Sequence, residues 1–335
     1  MKRTSTSWYI AAAGLLSCSP SLTYAAETKF SSQIFANFSN LQVDDRKIDS
    51  EGWQPDLKRF YLNFDHSWNE NWKLKVTTDV QWHRQQDPTD VWFRHAYVAY
   101  QMNKHNQFKF GVAELPWIDY VARRVGYRYI DPSLTPKNKL AGPTDLGVHY
   151  GFTNQDFSFA ASAITGGGFQ KPRVGDQVDI ELAAVWHISN AVDLATGWYE
   201  GARVQDKDDK PKRHTAQRWT MALSYQLKGT RLGVEYAYND NWTQVSQVEE
   251  DASDGWSIWA SNRFLPDYSV FVRYDWLHPS RRLNPELERN YFQVGLDWNA
   301  TNYLSVAFVA KQSHVDSLII DQEQNEIGIW TMWNF

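Results

Sequence analysis

The chain has 335 residues, with 34 Lys and Arg against 39 Asp and Glu and a net charge of −5, a balance that argues against nucleic acid as a partner. Mean hydropathy is −0.57, yet 15% of the residues are aromatic and 17 are Trp. That pairing is odd for a soluble domain and expected where aromatic girdles flank a wet interior at two membrane interfaces. Beyond the first residues no apolar run reaches the ~18 residues of a spanning helix, so a membrane protein of this composition crosses with strands.

Lys2 and Arg3, the apolar stretch 8–16 and Thr23-Tyr24-Ala25 before Ala26 have the layout of a secretory signal peptide over residues 1–25. A second reading is a lipoprotein processing box at Leu15-Leu16-Ser17-Cys18, although Thr23-Tyr24-Ala25 fits ordinary cleavage. Cys18 is the only cysteine, so a mature chain of 26–335 has neither a disulfide framework nor a Cys metal site. Losing Lys2 and Arg3 with the leader takes the net charge from −5 to −7.

Period-two alternation then runs along the chain. Trp72, Leu74, Val76, Val80 and Trp82 alternate with Lys73, Lys75, Asp79 and Gln81. Val178, Ile180, Leu182, Ala184, Trp186 and Ile188 alternate with Asp179, Glu181 and His187. Trp219, Met221, Leu223, Tyr225 and Leu227 alternate with Arg218, Thr220 and Ser224. At the C-terminus Ile327, Ile329, Thr331, Trp333 and Phe335 form one face, and a terminal Phe closing such a strand resembles the assembly signal of outer-membrane barrels. Successive strand side chains point to opposite faces, so each segment is apolar outside and polar inside.

Connections alternate in length. The short ones are read at 69–71, 103–106, 153–156, 189–191, 228–229, 266–267 and 299–301. The long ones are read at 41–56, 85–89, 115–142, 167–176, 204–213, 244–253, 279–285 and 316–323. Short periplasmic turns opposite longer external loops are the asymmetry of a bacterial barrel. The expected fold is therefore all-β: a single-domain transmembrane antiparallel β-barrel of about 16 strands with a long third external loop and both termini in the periplasm. A barrel of that width leaves an aqueous lumen.

The third loop, 115–142, carries Trp117, Tyr120, Tyr127, Tyr129 and Ile130 and is too apolar for disorder. It is expected to fold into the lumen, or else to cap the outside or pack on a neighbouring subunit. Its Arg123, Arg124, Arg128, Lys137 and Lys139 outnumber Asp119 and Asp131. Guanidinium groups at a constriction favour anions, unless they brace the loop against wall carboxylates such as Asp79 or Asp145. The expected lumen face is mixed: Arg59, Lys73, Lys75, Arg94, Lys109, Arg231 and Arg273 are basic, while Asp65, Asp79, Asp145, Asp179, Glu181, Asp193, Glu235 and Asp275 are acidic. The sequence holds no G-x-S-x-G, H-E-x-x-H or G-x-x-x-x-G-K-[ST], and Gly166-Gly167-Gly168 reads as a flexible hairpin tip. No cofactor, metal or catalytic residue is expected; an enzyme would need a Ser–His pair assembled across strands.

Arg59-Phe60-Tyr61-Leu62-Asn63-Phe64 leads into Trp72-Lys73-Leu74-Lys75. Phe93-Arg94-His95-Ala96-Tyr97-Val98-Ala99-Tyr100 follows, and then Phe108-Lys109-Phe110-Gly111-Val112-Ala113-Glu114-Leu115-Pro116-Trp117. This order of strands, with a Pro–aromatic step into a long loop, resembles the phosphate-selective porin (O and P type) superfamily over roughly residues 57–152. The resemblance implies a homotrimeric porin of the Gram-negative outer membrane, bathed in its lipids, whose third loop lines a constriction; Arg94, Gly111 and Pro116 match. An acidic chain with a mixed lumen departs from a strongly basic phosphate pore.

The function expected is passive diffusion of small hydrophilic solutes with a weak anion preference. Arg123, Arg124 and Arg128 would set it against a wall of Arg59, Lys75, Asp79, Arg94 and Lys109, with Trp117 and Tyr127 on the solute path. Alternatives are a specific channel for sugars or organic anions that stack on Trp117, Tyr127 and Tyr129, and a plugged structural or binding barrel.

Overall fold

The computed structural model describes residues 26–44, 51–82, 91–170, 177–202, 215–242 and 250–335. The expected leader 1–25 lies outside them, as do all or part of the external loops read at 41–56, 85–89, 167–176, 204–213 and 244–253. The first half of the chain forms β1 (Glu27–Val43), β2 (Gly52–Ser67), β3 (Trp72–Trp82), β4 (Val91–Gln101), β5 (Asn106–Glu114), β6 (Thr144–Thr153), β7 (Phe157–Ile164) and β8 (Asp179–His187). The second forms β9 (Val192–Gly201), β10 (Ala216–Leu227), β11 (Thr230–Asp240), β12 (Ala252–Leu265), β13 (Tyr268–His278), β14 (Glu288–Thr301), β15 (Leu304–Ser317) and β16 (Ile320–Asn334). Each strand pairs antiparallel with its sequence neighbours, and β1 pairs with β16 in the register Gln33↔Asn334 to Val43↔Gln324, closing a 16-stranded barrel.

Alternation sets the two surfaces. On β10, Trp219, Met221 and Leu223 are exposed outward while Arg218, Thr220 and Ser224 are buried inward. On β16, Ile327 and Ile329 face out and Trp330 is buried inside. Rings mark both ends of the outer belt: Trp72, Trp186 and Trp298 near the short turns, and Trp53, Trp82 and Trp256 near the long loops. Such a belt suits lipid.

Three expected connections differ: of the loop read at 41–56, residues 41–43 belong to β1 and 52–56 to β2. The segment read as a loop at 316–323 is mostly strand, with only 318–319 between β15 and β16. Cross-strand polar contacts, His314 to Asp321 at 2.8 Å and Gln312 to Glu323 at 2.8 Å, extend the hairpin past its apolar belt. The turn read at 299–301 lies at 302–303, because a register shift between Asn299 and Thr301 carries β14 further.

Two bulges re-aim charged residues. Opposite β1, Arg59 pairs with Phe35 and Leu57 with Ala36, leaving Lys58 as an extra residue. Opposite β3, His95 pairs with Thr77 and Phe93 with Thr78, leaving Arg94 extra. A bulge lets two consecutive side chains point the same way, so Lys58 joins Arg59, and Arg94 joins His95, on the inner face.

Candidate functional site: the infolded third loop and the lumen wall

Residues 115–143 lie inside the barrel. The loop opens as α1 (Pro116–Val125), with Pro at the first helical position where its missing N–H costs nothing. The apolar face of α1, Trp117, Ile118, Val121 and Val125, packs on inward Val185, Ala195, Ala222 and Trp259. Gly197 makes room for it: a Cβ there would meet the Trp117 ring at 2.9 Å and Thr220 Oγ1 at 2.5 Å. The helix stops at Gly126, with φ of 73°.

One buried ion pair holds both ends of the loop. Glu181 accepts the Trp117 N–H at 3.1 Å, in the first turn of α1 where the helix dipole favours an anion. It also pairs with Arg218 at 2.5 Å, and Arg218 in turn donates to the Leu140 carbonyl at 2.9 Å. Glu235 adds a second tie, accepting the Trp117 indole N–H at 3.1 Å and the Thr135 hydroxyl at 3.4 Å.

Past Gly126 the loop crosses to the β1–β2 and β13–β16 wall. Tyr127 stacks on Phe271 at 4.2 Å. Tyr129 and Ile130 pack among inward Phe35, Tyr61, Phe271 and Trp330, and the Tyr129 hydroxyl donates to Asp297 at 2.5 Å. The short α2 (Leu134–Lys137) follows. Asp131 accepts from Tyr291 at 2.7 Å and Lys311 at 3.2 Å, with Lys137 at 3.6 Å. Burial pushes the Asp131 carboxyl up, but Lys137, Lys311 and Lys58 outweigh it and hold the group well below the usual carboxylate range.

Of the cavities that remain, two flank the loop. One, about 750 Å³, lies towards the short turns; Lys104, Lys109, Glu114, Asp119, Arg123 and Arg124 are among its lining residues. The other, about 500 Å³, lies towards the long loops and is lined by Lys58, Arg59, Arg94, Arg128 and Lys139, with Asp131 as its acid.

The residues expected at the constriction are thus divided. Arg123 is 70% exposed and pairs with Asp119 at 2.8 Å in the first cavity. Arg124 is held by wall Asp193, as an ion pair, and by Gln226 at 3.1 Å; the brace expected at Asp79 or Asp145 falls on Asp193 instead. Lys109 pairs with Glu114 at 2.9 Å, and Lys75 with Asp65 at 3.2 Å nearer the short turns. Arg128 donates to the Tyr61 hydroxyl at 2.9 Å and stands with Arg59 and Arg94 at the second cavity. Arg59 and Arg94 share Asp79, at 3.3 and 3.6 Å. Trp117 is fully buried between loop and wall, so it anchors the loop and offers no surface to a solute, contrary to expectation. Tyr127 is part-buried with its ring stacked on Phe271, and Tyr129 is 4% exposed. Lys58 was hidden in the sequence because simple alternation assigns it to the lipid face; a bulge is what turns it inward.

Two Ser–His pairs also face the lumen. His149 meets Ser162 at 2.8 Å. His187 Nε2 meets Ser158 at 3.0 Å while its Nδ1 meets Asp193 at 2.8 Å.

No protein-family model and no curated protein matches the chain. Solved structures do. The trimer form of OmpT, an outer membrane protein of Vibrio cholerae, aligns with a TM-score of 0.66 at 13% identity, covering 93% of this chain and 100% of that one. An anion-selective porin from Comamonas acidovorans aligns at 0.66 and 10% identity, over 92% and 100%. The outer membrane channel DcaP of Acinetobacter baumannii aligns at 0.67 and 11% identity, over 92% and 97%. At these identities the likeness is one of fold.

Breaking one partner of a buried ion pair costs about 3–5 kcal/mol. Arg218→Ala is expected to loosen both ends of the loop, raising single-channel conductance and open-channel noise in KCl bilayers; an unchanged trace would rule out the clamp.

Proposed function

We propose that this chain is an outer-membrane porin: a diffusion channel for small hydrophilic solutes with a preference for anions. The barrel sits in the outer membrane as a homotrimer, with its apolar belt in lipid. One of the similar structures is described as a trimer form and another as an anion-selective porin, which supports the reading.

The observation that carries the proposal is the cation set of the 500 Å³ cavity. Arg59 and Arg94 divide one carboxylate, while Lys58, Arg128 and Lys139 have no carboxylate within ion-pair distance among the described residues. Like charges gathered in a partly desolvated lumen repel each other and draw a counter-ion. An anion entering from the long-loop side meets this field before it reaches the first cavity, where Arg123 and Lys109 are already neutralised by Asp119 and Glu114. No bond is made or broken, so passage depends on lumen width and field.

A second reading, hydrolysis, has the Ser158–His187–Asp193 arrangement in its favour. Against it, Ser158 is strand-paired on both sides, with Thr153 at the end rung of the β6–β7 ladder and with Val185 of β8. Strand pairing occupies backbone N–H groups there that an oxyanion would need. A fluorophosphonate probe is expected to leave Ser158 unlabelled; labelling abolished by His187→Gln would establish the hydrolase.

The channel reading is tested by the reversal potential of purified protein across a KCl gradient. Anion preference is expected in the native channel, to fall strongly when Arg94 and Arg128 are both replaced by Ser, and to change little in Arg123→Ser. A cation-selective native channel, or one whose preference follows Arg123, overturns it.

A further inference from the structure

The cavity that holds the five cations is two-sided. Its charges come from β2 and β4 and from Arg128 and Lys139 of the loop. Its other lining includes an apolar side, with Ile118 and Ala122 of α1, Ala141 and Pro143 on the returning limb of the loop, and Phe169 beyond β7, beside polar Gln81, Ser133 and Gln170 and the carboxylate Asp131. Because α1 lies against β7–β11, Ala122 faces across the lumen from β2 and β4, with the buried Ile118 at the edge of the wall contact. The two linings meet at Arg94, whose guanidinium carbon stands 5.5 Å from the Tyr61 ring centre and 5.8 Å from that of Phe169.

A bare inorganic anion needs only the charges. It gains nothing from apolar side chains on the far side, which would stay against water. An anion with an apolar body covers both: its carboxylate takes the guanidinium forks, and its hydrocarbon removes the part-exposed Ala122 and Phe169 from water. A cavity of about 500 Å³ with an apolar lining and a few placed charges is the usual form of a small-molecule site.

We infer that this cavity is a binding subsite for small amphiphilic carboxylates, of which an aromatic monocarboxylate is the simplest, and that it favours them over phosphate and over carboxylates lacking an apolar body. The inference rests on the anion-preferring channel proposed above. In passage the subsite holds the solute on the long-loop side of α1, raising its local concentration beside the remaining lumen.

The test uses the full chain in planar bilayers, with sodium benzoate, acetate or phosphate added on the long-loop side while the chloride current is recorded. Benzoate is expected to halve the current at a concentration about tenfold lower than acetate or phosphate, equivalent to about 1.4 kcal/mol. Ala122→Gln puts a polar group on the apolar lining and is expected to abolish the gap between benzoate and acetate. Phe169→Ala serves the same comparison if Ala122→Gln forms no channels. Equal potency of benzoate and acetate, or phosphate as the strongest blocker, overturns the inference with the anion-preferring channel intact. A native reversal potential without anion preference overturns both.

Discussion

A strand in hydrocarbon has nowhere to place its backbone N–H and C=O groups except on another strand, and here that demand is met around the whole circle only because β1 pairs with β16. Closure dictates the rest. Sixteen strands enclose more space than their own inward side chains fill, which leaves room in the lumen for a further segment. The third loop is that segment, and it behaves as an internal core element rather than as an external loop. Its Trp117, Ile130, Leu134 and Leu140 are essentially inaccessible to solvent.

What keeps the loop there is a division of labour between apolar docking and buried charge. Apolar side chains of α1 and of Tyr129-Ile130 supply the burial, each over an inward patch of the wall. The Glu181–Arg218 pair supplies the register, because its hydrogen bonds reach the backbone at Trp117 and at Leu140. A buried ion pair is poor evidence for net stability, but it is demanding of geometry. Here it fixes where the loop begins and where it returns. The cavities on either side of α1 are what this placement leaves over, and their charges differ because one wall is neutralised pair by pair and the other only in part.

The barrel was legible in the sequence for a local reason. Alternation has a period of two residues, so a ten-residue segment declares its inner and outer faces without knowledge of its partners. The C-terminal face of Ile327, Ile329 and Phe335, the order of the short turns and the length of the third loop were all readable in that way. The hairpin tip at 318–319 was not, since polar cross-strand pairs prolong β15 and β16 where hydropathy no longer distinguishes strand from loop.

Composition and periodicity alone were enough to require a closed, lipid-facing barrel with a long aromatic loop and a mixed lumen. Which charges act together was settled by folding. Arg123, Arg124 and Arg128 are close in sequence, yet they part company to Asp119, Asp193 and Tyr61, while Lys58, Arg94 and Arg128 converge from three separate elements. Two bulges and one clamp produce that arrangement. A bulge reverses the facing of one residue against the local pattern, and a clamp joins residues 78 positions apart. Neither leaves a periodic trace, so neither can be read until the strands have found their neighbours.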